Sequence, residues 1–208
     1  MFLPKIYPIT DTRISGLSHA EQVIKFIDGG AQIVQLREKH AAPNAFYEDA
    51  RRALEIARAE NVKIIINNRV DIALALKADG VHLGQNDLPP IEARRILGEK
   101  ALIGFSTHTI EQALEALRFP IDYLAIGPVY TTKTKENADA AVGLETVEKV
   151  RRIIESFPLV AIGGINSTNF RAVLAAGADS IAVIGDLLGD ADKISEKTRK
   201  FIDLAASA

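Results

Sequence analysis

Short apolar runs alternate with longer amphipathic stretches along the whole chain of 208 residues. The runs are continuously apolar and rich in β-branched residues, as expected for parallel strands that are buried on both faces. They predict eight strands, at residues 5–10, 32–36, 62–66, 80–83, 101–105, 123–126, 159–162 and 180–184.

The amphipathic stretches between these runs have recognisable helix starts. Ser18-His-Ala-Glu21 and Thr109-Ile-Glu-Gln112 each fit a capping box, in which the hydroxyl and the residue three positions later satisfy unpaired backbone N–H groups. Further helices are predicted at residues 44–59, 71–77, 90–97, 144–156, 169–176 and 192–205.

Eight strand–helix units without a linker or a low-complexity tract predict a closed (β/α)8 TIM barrel, formed by residues 1–208 as a single domain. A related phrase recurs at 30–35, 78–84, 121–127 and 177–185, before alternate strands, which is consistent with the layered packing of barrel interiors. A doubly wound open sheet is the weaker alternative, because no Gly-x-Gly-x-x-Gly opens a helix.

Composition narrows the class of protein. There are 27 acidic and 25 basic residues, so no general attraction to nucleic acid or to a membrane surface is expected. The absence of cysteine excludes disulfides, thiolate metal sites and cysteine nucleophiles. A charge and two prolines come too early for a signal peptide, and no apolar run approaches the length of a membrane span. We therefore expect a cytoplasmic protein, with a homo-oligomer left open.

Candidate chemistry lies where the predicted strands end, which is where barrel enzymes carry their functional residues. The segment Pro-Val-Tyr-Thr-Thr-Lys-Thr-Lys at 128–135 combines hydroxyls, cations and backbone N–H groups, a set suited to phosphate. Gly163, Gly164 and Gly185 follow the last two strands, where glycine lets backbone N–H groups approach a ligand or simply serves a turn. Together these ends indicate an enzyme of phosphorylated small molecules.

The end of the second strand offers a site for a diphosphate. Gln35, Arg37 and Lys39 alternate there and are expected to point to one side. Arg37 supplies a planar fork and Lys39 a point charge. The alternative is a salt-bridged barrel rim that involves Glu38.

Three more strand ends carry polar groups with two interpretations each. Asn67-Asn68-Arg69 and Gln85-Asn86-Asp87 supply oxygen ligands for Mg²⁺, or else cap the helices predicted to follow. Ser106 is a candidate for a hydrogen bond to a ligand. His108 is either an acid or base or a solvated loop histidine.

The chain resembles the thiamine phosphate synthase family across essentially its whole length. The seven matching segments lie in chain order, one per strand end, which makes the resemblance specific. They occupy 6–11, 35–39, 69–75, 80–85, 106–108, 127–135 and 161–165. The resemblance implies a (β/α)8 transferase that joins a hydroxymethylpyrimidine diphosphate to a thiazole phosphate, giving thiamine phosphate and pyrophosphate with the help of Mg²⁺.

The resemblance also implies roles for individual residues. The pyrimidine diphosphate would be bound by Gln35, Leu36, Arg37, Glu38, Lys39, Asn67, Ser106 and Lys135, with Arg37, Lys39, Ser106 and Lys135 as the catalytic group. The thiazole phosphate would be held by Thr132, Lys133, Thr134, Gly164, Ile184 and Gly185. Asp87 would ligate magnesium, and Asn68 stands where the family has a second, aspartate ligand.

Because Asn68 stands where the family has aspartate, two alternatives to the synthase stay open. A sister group of the same barrel is a thiazole tautomerase, which typically lacks that aspartate and uses a histidine at the position of His108. Lys39, Asp87 and the loop from Thr132 to Lys135 favour the synthase over it. A barrel that binds a phosphorylated ligand without turnover is the third possibility.

Overall fold

A computed structural model of the chain describes residues 3–132, 134 and 140–206. Its strands are β1 (Ile6–Pro8), β2 (Ile33–Leu36), β3 (Lys63–Asn67), β4 (Gly80–Leu83), β5 (Leu102–Thr107), β6 (Tyr123–Ile126), β7 (Leu159–Ile162) and β8 (Ser180–Val183). Every neighbouring pair is parallel, in the order β1-β8-β7-β6-β5-β4-β3-β2. This confirms the predicted (β/α)8 fold, whereas the domain bounds 1–208 stay a prediction.

The barrel closes between β1 and β2 through few contacts. Ile9 and Gln35 form one isolated parallel bridge. Thr10 donates its backbone N–H to the Gln35 carbonyl at 2.9 Å, and its hydroxyl accepts the N–H of Arg37 at 3.1 Å. The seam therefore lies directly under the loop that carries Arg37 and Lys39.

Helices lie between the strands. They are α1 (Thr12–Ser15), α2 (His19–Asp28), α3 (Pro43–Ala59), α4 (Val70–Leu76), α5 (Pro90–Leu97), α6 (Ile110–Ala116), α7 (Gly143–Ile154), α8 (Phe170–Ala175), α9 (Gly185–Leu188) and α10 (Ile194–Ala206), with a 3-10 turn at Ala191–Lys193. The short helices α1 and α9 were not predicted. Within the described residues, no helix is long and apolar enough to cross a bilayer.

Several predicted bounds are corrected by a few residues. The end of β5 is the clearest case, because the polar Ser106 and Thr107 continue its pairing with β6 as far as Ile126. Of the two capping boxes, the one at Ser18 is complete. At the other, Thr109 accepts the N–H of Gln112, but the Gln112 side chain accepts from the N–H of His108 instead of closing the box.

The buried side chains form two layers. The larger layer packs the strands against the helices. The smaller one fills the barrel interior and consists of Leu3, Tyr7, Ile9, Ile33, Ile65, Tyr123, Ala125, Val160 and Ala182. Gly104 makes room for one of these side chains, since a Cβ at this position would lie 2.1 Å from Cζ of Tyr123.

In three places, an aspartate directly before an even-numbered strand accepts a backbone hydrogen bond from the odd-numbered strand beside it, a contact that we call a clasp. The carboxylates of Asp79, Asp122 and Asp179 accept the backbone N–H of Ile64, Ile103 and Leu159 at 2.8, 2.7 and 2.8 Å. Arg94 and Arg151 reach from the preceding helices to the second and third of these carboxylates. This clasp, at the N-terminal ends of the strands, accounts for the aspartate of the recurring phrase at 78–84, 121–127 and 177–185, whereas the phrase at 30–35 has Gln32 at that position.

Candidate active site

A cavity of about 860 Å³ lies at the C-terminal ends of the strands. Most of the predicted site residues line it, and they come from all parts of the barrel: Gln35, Arg37, Lys39, Asn67, Asn68, Asp87, Ser106, His108, Thr132, Thr134, Gly164, Ile184 and Gly185. Lys133 and Lys135 lie outside the described residues. The structure thus brings the polar strand ends to one place.

Two predicted residues are not among those that line the cavity. Leu36 is fully buried in the layer between strands and helices. The Glu38 carboxylate accepts the backbone N–H groups of Lys39, His40 and Ala41 at 2.7, 2.6 and 3.0 Å. Glu38 therefore shapes the loop that carries Lys39.

Glu38 also meets a buried histidine. His19 Nε2 lies 3.3 Å from the Glu38 carboxylate, and its Nδ1 lies 2.7 Å from the Thr10 hydroxyl. Burial raises the pKa of Glu38, but the backbone N–H groups of His40 and Ala41 and the charge of His19 outweigh it and hold the pKa at about 2. Sequence reasoning missed His19, because its position one residue after a helix cap does not indicate a contact with Glu38.

Arg37 is paired with a residue that sequence reasoning did not select. Its guanidinium lies 2.6 Å from the carboxylate of Asp11, and both side chains are largely buried. Ion pairs are therefore present at this rim, with Asp11 as the partner of Arg37 and His19 as the partner of Glu38. The carboxylate of Asp11 fixes the orientation of the guanidinium.

The predicted oxygen ligands after β3 and β4 do not cap the helices that follow, and both Asp87 and Asn68 line the cavity. Neither α4 nor α5 has a side-chain cap, so the capping alternative is wrong. One Asp87 oxygen accepts the N–H of Gly84 at 2.6 Å. Asn68 has a φ of 64°, a conformation that Asn and Asp adopt more readily than other residues. Magnesium takes one or two carboxylates together with substrate phosphate, so a donor set of Asp87 and Asn68 is suitable. Among the described residues, no group of three or more His, Asp or Glu that could hold a metal ion is found.

The loops after β6, β7 and β8 form the other side of the cavity. Gly163 and Gly164 have φ values of 101° and 65°, and a Cβ on Gly164 would lie 2.6 Å from the Thr131 carbonyl. Only glycine fits this close approach. Around Gly185, in contrast, nothing lies within 4 Å of an added Cβ. The backbone there is open towards the cavity, as a phosphate-binding loop requires.

A chain of hydrogen bonds links the barrel interior to Ser106. His82 Nε2 lies 2.8 Å from the Ser106 hydroxyl, and its Nδ1 lies 3.0 Å from the Tyr123 hydroxyl. The Tyr7 hydroxyl follows at 3.0 Å from that of Tyr123, and Gln35 Nε2 donates to Tyr7 at 3.4 Å. Burial lowers the pKa of His82 to about 4 and raises the pKa of Tyr7. Sequence reasoning missed this chain, although a lone histidine at an inward position of an apolar strand was a usable signal.

His108 lines the cavity. Its Nδ1 lies 2.6 Å from the carbonyl oxygen of Gly127 and therefore carries a proton. Asn67, in contrast, has an amide nitrogen that is buried without a partner among the described residues. Because an unpaired buried donor is costly, this nitrogen is available to an acceptor on a ligand.

Comparisons with known proteins show which family the chain belongs to. The family model described as thiamine monophosphate synthase matches residues 6–187. A thiamine-phosphate synthase of Chloroflexus aurantiacus is 44% identical over 94% of this chain and 90% of its own length. One of Methanospirillum hungatei is 44% identical over 96% of each chain. The solved structure of thiamine phosphate pyrophosphorylase from Pyrococcus furiosus is 37% identical, covers 97% of this chain and 96% of its own, and superimposes with a TM-score of 0.85. The chain therefore belongs to the thiamine monophosphate synthase family.

Proposed function

We propose that this chain is a thiamine-phosphate synthase that joins 4-amino-2-methyl-5-hydroxymethylpyrimidine diphosphate to a thiazole phosphate. The observation that supports the proposal is that one cavity is lined both by cations after β2 and by the glycines after β7 and β8. Arg37 and Lys39 lie on the side of β2, and the glycine loops lie on the side of β7 and β8. A reaction between two phosphorylated molecules requires such an arrangement.

The reaction is a displacement at carbon. The thiazole nitrogen forms a bond to the methylene carbon of the pyrimidine, while the bond from this carbon to the diphosphate oxygen breaks and pyrophosphate leaves with the electron pair. No enzymic nucleophile is needed, so the protein contributes alignment and neutralisation of charge.

The residues divide between these tasks. Arg37, Lys39 and Lys135 would neutralise the leaving diphosphate, and Asn67 and Ser106 would hold the pyrimidine. Thr132, Lys133, Thr134, Gly164, Ile184 and Gly185 would bind the thiazole phosphate. Asp87 and Asn68 would hold Mg²⁺, which when bound supplies further positive charge for the diphosphate oxygens.

Support for these roles differs from residue to residue. Arg37 lies beside Asp11, and the open backbone of Gly185 faces the cavity. Leu36 and Glu38 would act through the backbone of their loop, since their side chains point elsewhere. Cytoplasmic location and a homo-oligomer stay predictions.

The test is a product assay with purified protein, both substrates, and Mg²⁺ either present or chelated. We expect magnesium-dependent thiamine phosphate and pyrophosphate in equal amounts. Lys135→Ala should lower turnover strongly without lowering the melting temperature.

Other outcomes would overturn the proposal. If the thiazole phosphate alone is converted to its tautomer, the chain is the isomerase, and His108 is its candidate acid or base. Equilibrium binding of thiazole phosphate without any product would identify a barrel that only binds its ligand.

A further inference from the structure

The hydrogen bonds that run from Gln35 through Tyr7, Tyr123 and His82 to Ser106 have a direction, because each group donates to the next one along the row. Gln35 Nε2 is only a donor, so the Tyr7 oxygen accepts from it. If Tyr7 then donates to Tyr123 and Tyr123 donates to Nδ1 of His82, the hydroxyl hydrogens of both tyrosines have acceptors.

This direction determines which ring nitrogen of His82 carries the proton. Nδ1 of His82 is then an acceptor, so the proton of the neutral ring is on Nε2, which donates to the Ser106 oxygen. The hydroxyl hydrogen of Ser106 has no acceptor among the described residues and faces the cavity, which Ser106 lines.

The opposite direction is less favourable. It would have Ser106 donate to His82, His82 to Tyr123, and Tyr123 to Tyr7, so that the Tyr7 hydrogen would have no acceptor among the described residues. Tyr7 is 1% exposed, and a buried unpaired donor is costly, whereas water or a ligand can accept the hydrogen of the partly exposed Ser106.

A charged His82 is excluded for the same reason, because it too would leave a buried hydroxyl hydrogen without an acceptor. An imidazolium would donate from both nitrogens, and again the Tyr7 hydrogen would have no acceptor within the described chain. The low pKa of His82, caused by burial, agrees with a neutral ring.

We propose that Tyr7, Tyr123 and His82 are positioning residues that make Ser106 a hydrogen-bond donor towards the cavity. The matching ligand group is an acceptor, such as a ring nitrogen of a heteroaromatic substrate. This last step rests on the proposed function, because the pyrimidine diphosphate supplies such nitrogens.

The tautomer of His82 tests the direction without any substrate. In the protein labelled with 15N-histidine, long-range 1H–15N spectra distinguish a proton on Nε2 from one on Nδ1. The chain has four histidines, and His82→Gln identifies the signals of His82. We expect the Nε2–H form in the ligand-free wild type, and finding the Nδ1–H form would overturn the proposal.

Two variants test which end sets the direction. Gln35→Glu replaces the donor with a carboxylate that accepts from Tyr7, and it should switch His82 to the Nδ1–H form. Ser106→Ala removes the other end and should leave the Nε2–H form unchanged. Gln112→Glu is the matched control, because it adds the same charge to the cavity lining at a residue outside this row of hydrogen bonds, and its carboxylate can still accept the N–H of His108. If Gln35→Glu folds and does not switch the tautomer, the proposal is wrong.

Binding measurements test the role of Ser106 towards substrate. Wild type should bind the pyrimidine diphosphate about tenfold more tightly than one of two analogues in which a ring nitrogen is replaced by C–H, and Ser106→Ala should abolish this difference. Equal binding of all three by the wild type would overturn the donor role. If the pyrimidine diphosphate does not bind at all, the proposed function fails. The tautomer of His82 then tests the direction of the hydrogen bonds on its own.

Discussion

The carboxylate of Asp11 holds the guanidinium of Arg37 at 2.6 Å, so the cation that we propose for the diphosphate is already paired in the free protein. A diphosphate that binds Arg37 therefore joins or displaces an existing partner. We expect Asp11→Asn to lower the free energy of unfolding by about 1–3 kcal/mol, since it leaves a largely buried charge unpaired.

The same variant should respond more strongly to an anion. Pyrophosphate is expected to raise the melting temperature of Asp11→Asn more than that of the wild type, because no carboxylate then competes for Arg37. Asp203→Asn, on the exposed side of α10, is the matched control. Equal shifts in all three proteins would show that pyrophosphate does not bind Arg37.

Glu38 should make stability depend on pH. Its pKa in the folded protein, about 2, is below that of an unfolded chain, so the carboxylate stabilises the fold above about pH 5 and this contribution is lost as the pH falls towards 2. Wild type should exceed Glu38→Gln by about 1–2 kcal/mol at neutral pH, allowing for partial hydration of the group, and the two should converge in acid.

Urea unfolding from pH 2.5 to pH 7 measures this difference. Glu115→Gln, at an exposed position of α6, is the control and should remain close to the wild type. A difference between wild type and Glu38→Gln that is the same at every pH would mean that the charge of Glu38 does not stabilise its loop.

Asn68→Asp should lower the magnesium concentration that gives half-maximal activity, because a carboxylate adds charge to the proposed metal ligands. Aspartate tolerates the positive φ at this position, so the fold should be kept. Titration of activity with Mg²⁺ gives the result. Asn86→Asp is the control, since it adds a charge to the same cavity one residue from Asp87; an equal effect of both variants would remove Asn68 from the metal site.

Gly185→Ala should weaken binding of the thiazole phosphate without affecting stability. Nothing in the described protein lies within 4 Å of the added methyl group, so the free energy of unfolding should change by less than about 0.5 kcal/mol. The KM for the thiazole phosphate should rise about tenfold or more, while that for the pyrimidine diphosphate should stay the same. A parallel rise in both KM values would place Gly185 outside a dedicated phosphate site.

Gly104→Ala should destabilise the barrel, because its Cβ would lie 2.1 Å from Cζ of Tyr123. We expect a loss of about 1–3 kcal/mol, typical of an overpacked core. The double variant with Tyr123→Leu should recover part of this loss, and thermal unfolding of the single and double variants measures the coupling. If the two effects are simply additive, the ring and the glycine do not compete for space.

The sequence predicts the parts of this protein that depend on local pattern. The strands are predictable because parallel strands covered on both faces are apolar throughout. Arg37, Asp87 and Ser106 are selected as candidates because they follow such runs, and all three line the cavity. The pair of Asp11 and Arg37 was not found, since it joins side chains from different strand ends.

The chain from Tyr7 to Ser106 was missed for a related reason. Its members come from β1, β4, β5 and β6, and they meet only because each points inward at the same depth of the barrel. The inward face of a strand with apolar residues on both faces is not marked by any alternation in its sequence.

The clasps made by Asp79, Asp122 and Asp179 have a consequence for how the chain folds. Each joins two consecutive strands, so its contacts are short in sequence and form at little cost in loop entropy. The pairing of β1 with β8, in contrast, unites opposite ends of the chain. We therefore expect the register of neighbouring strands to form early, and the joining of Ile6 with Ile181 to be the late, slow event of folding.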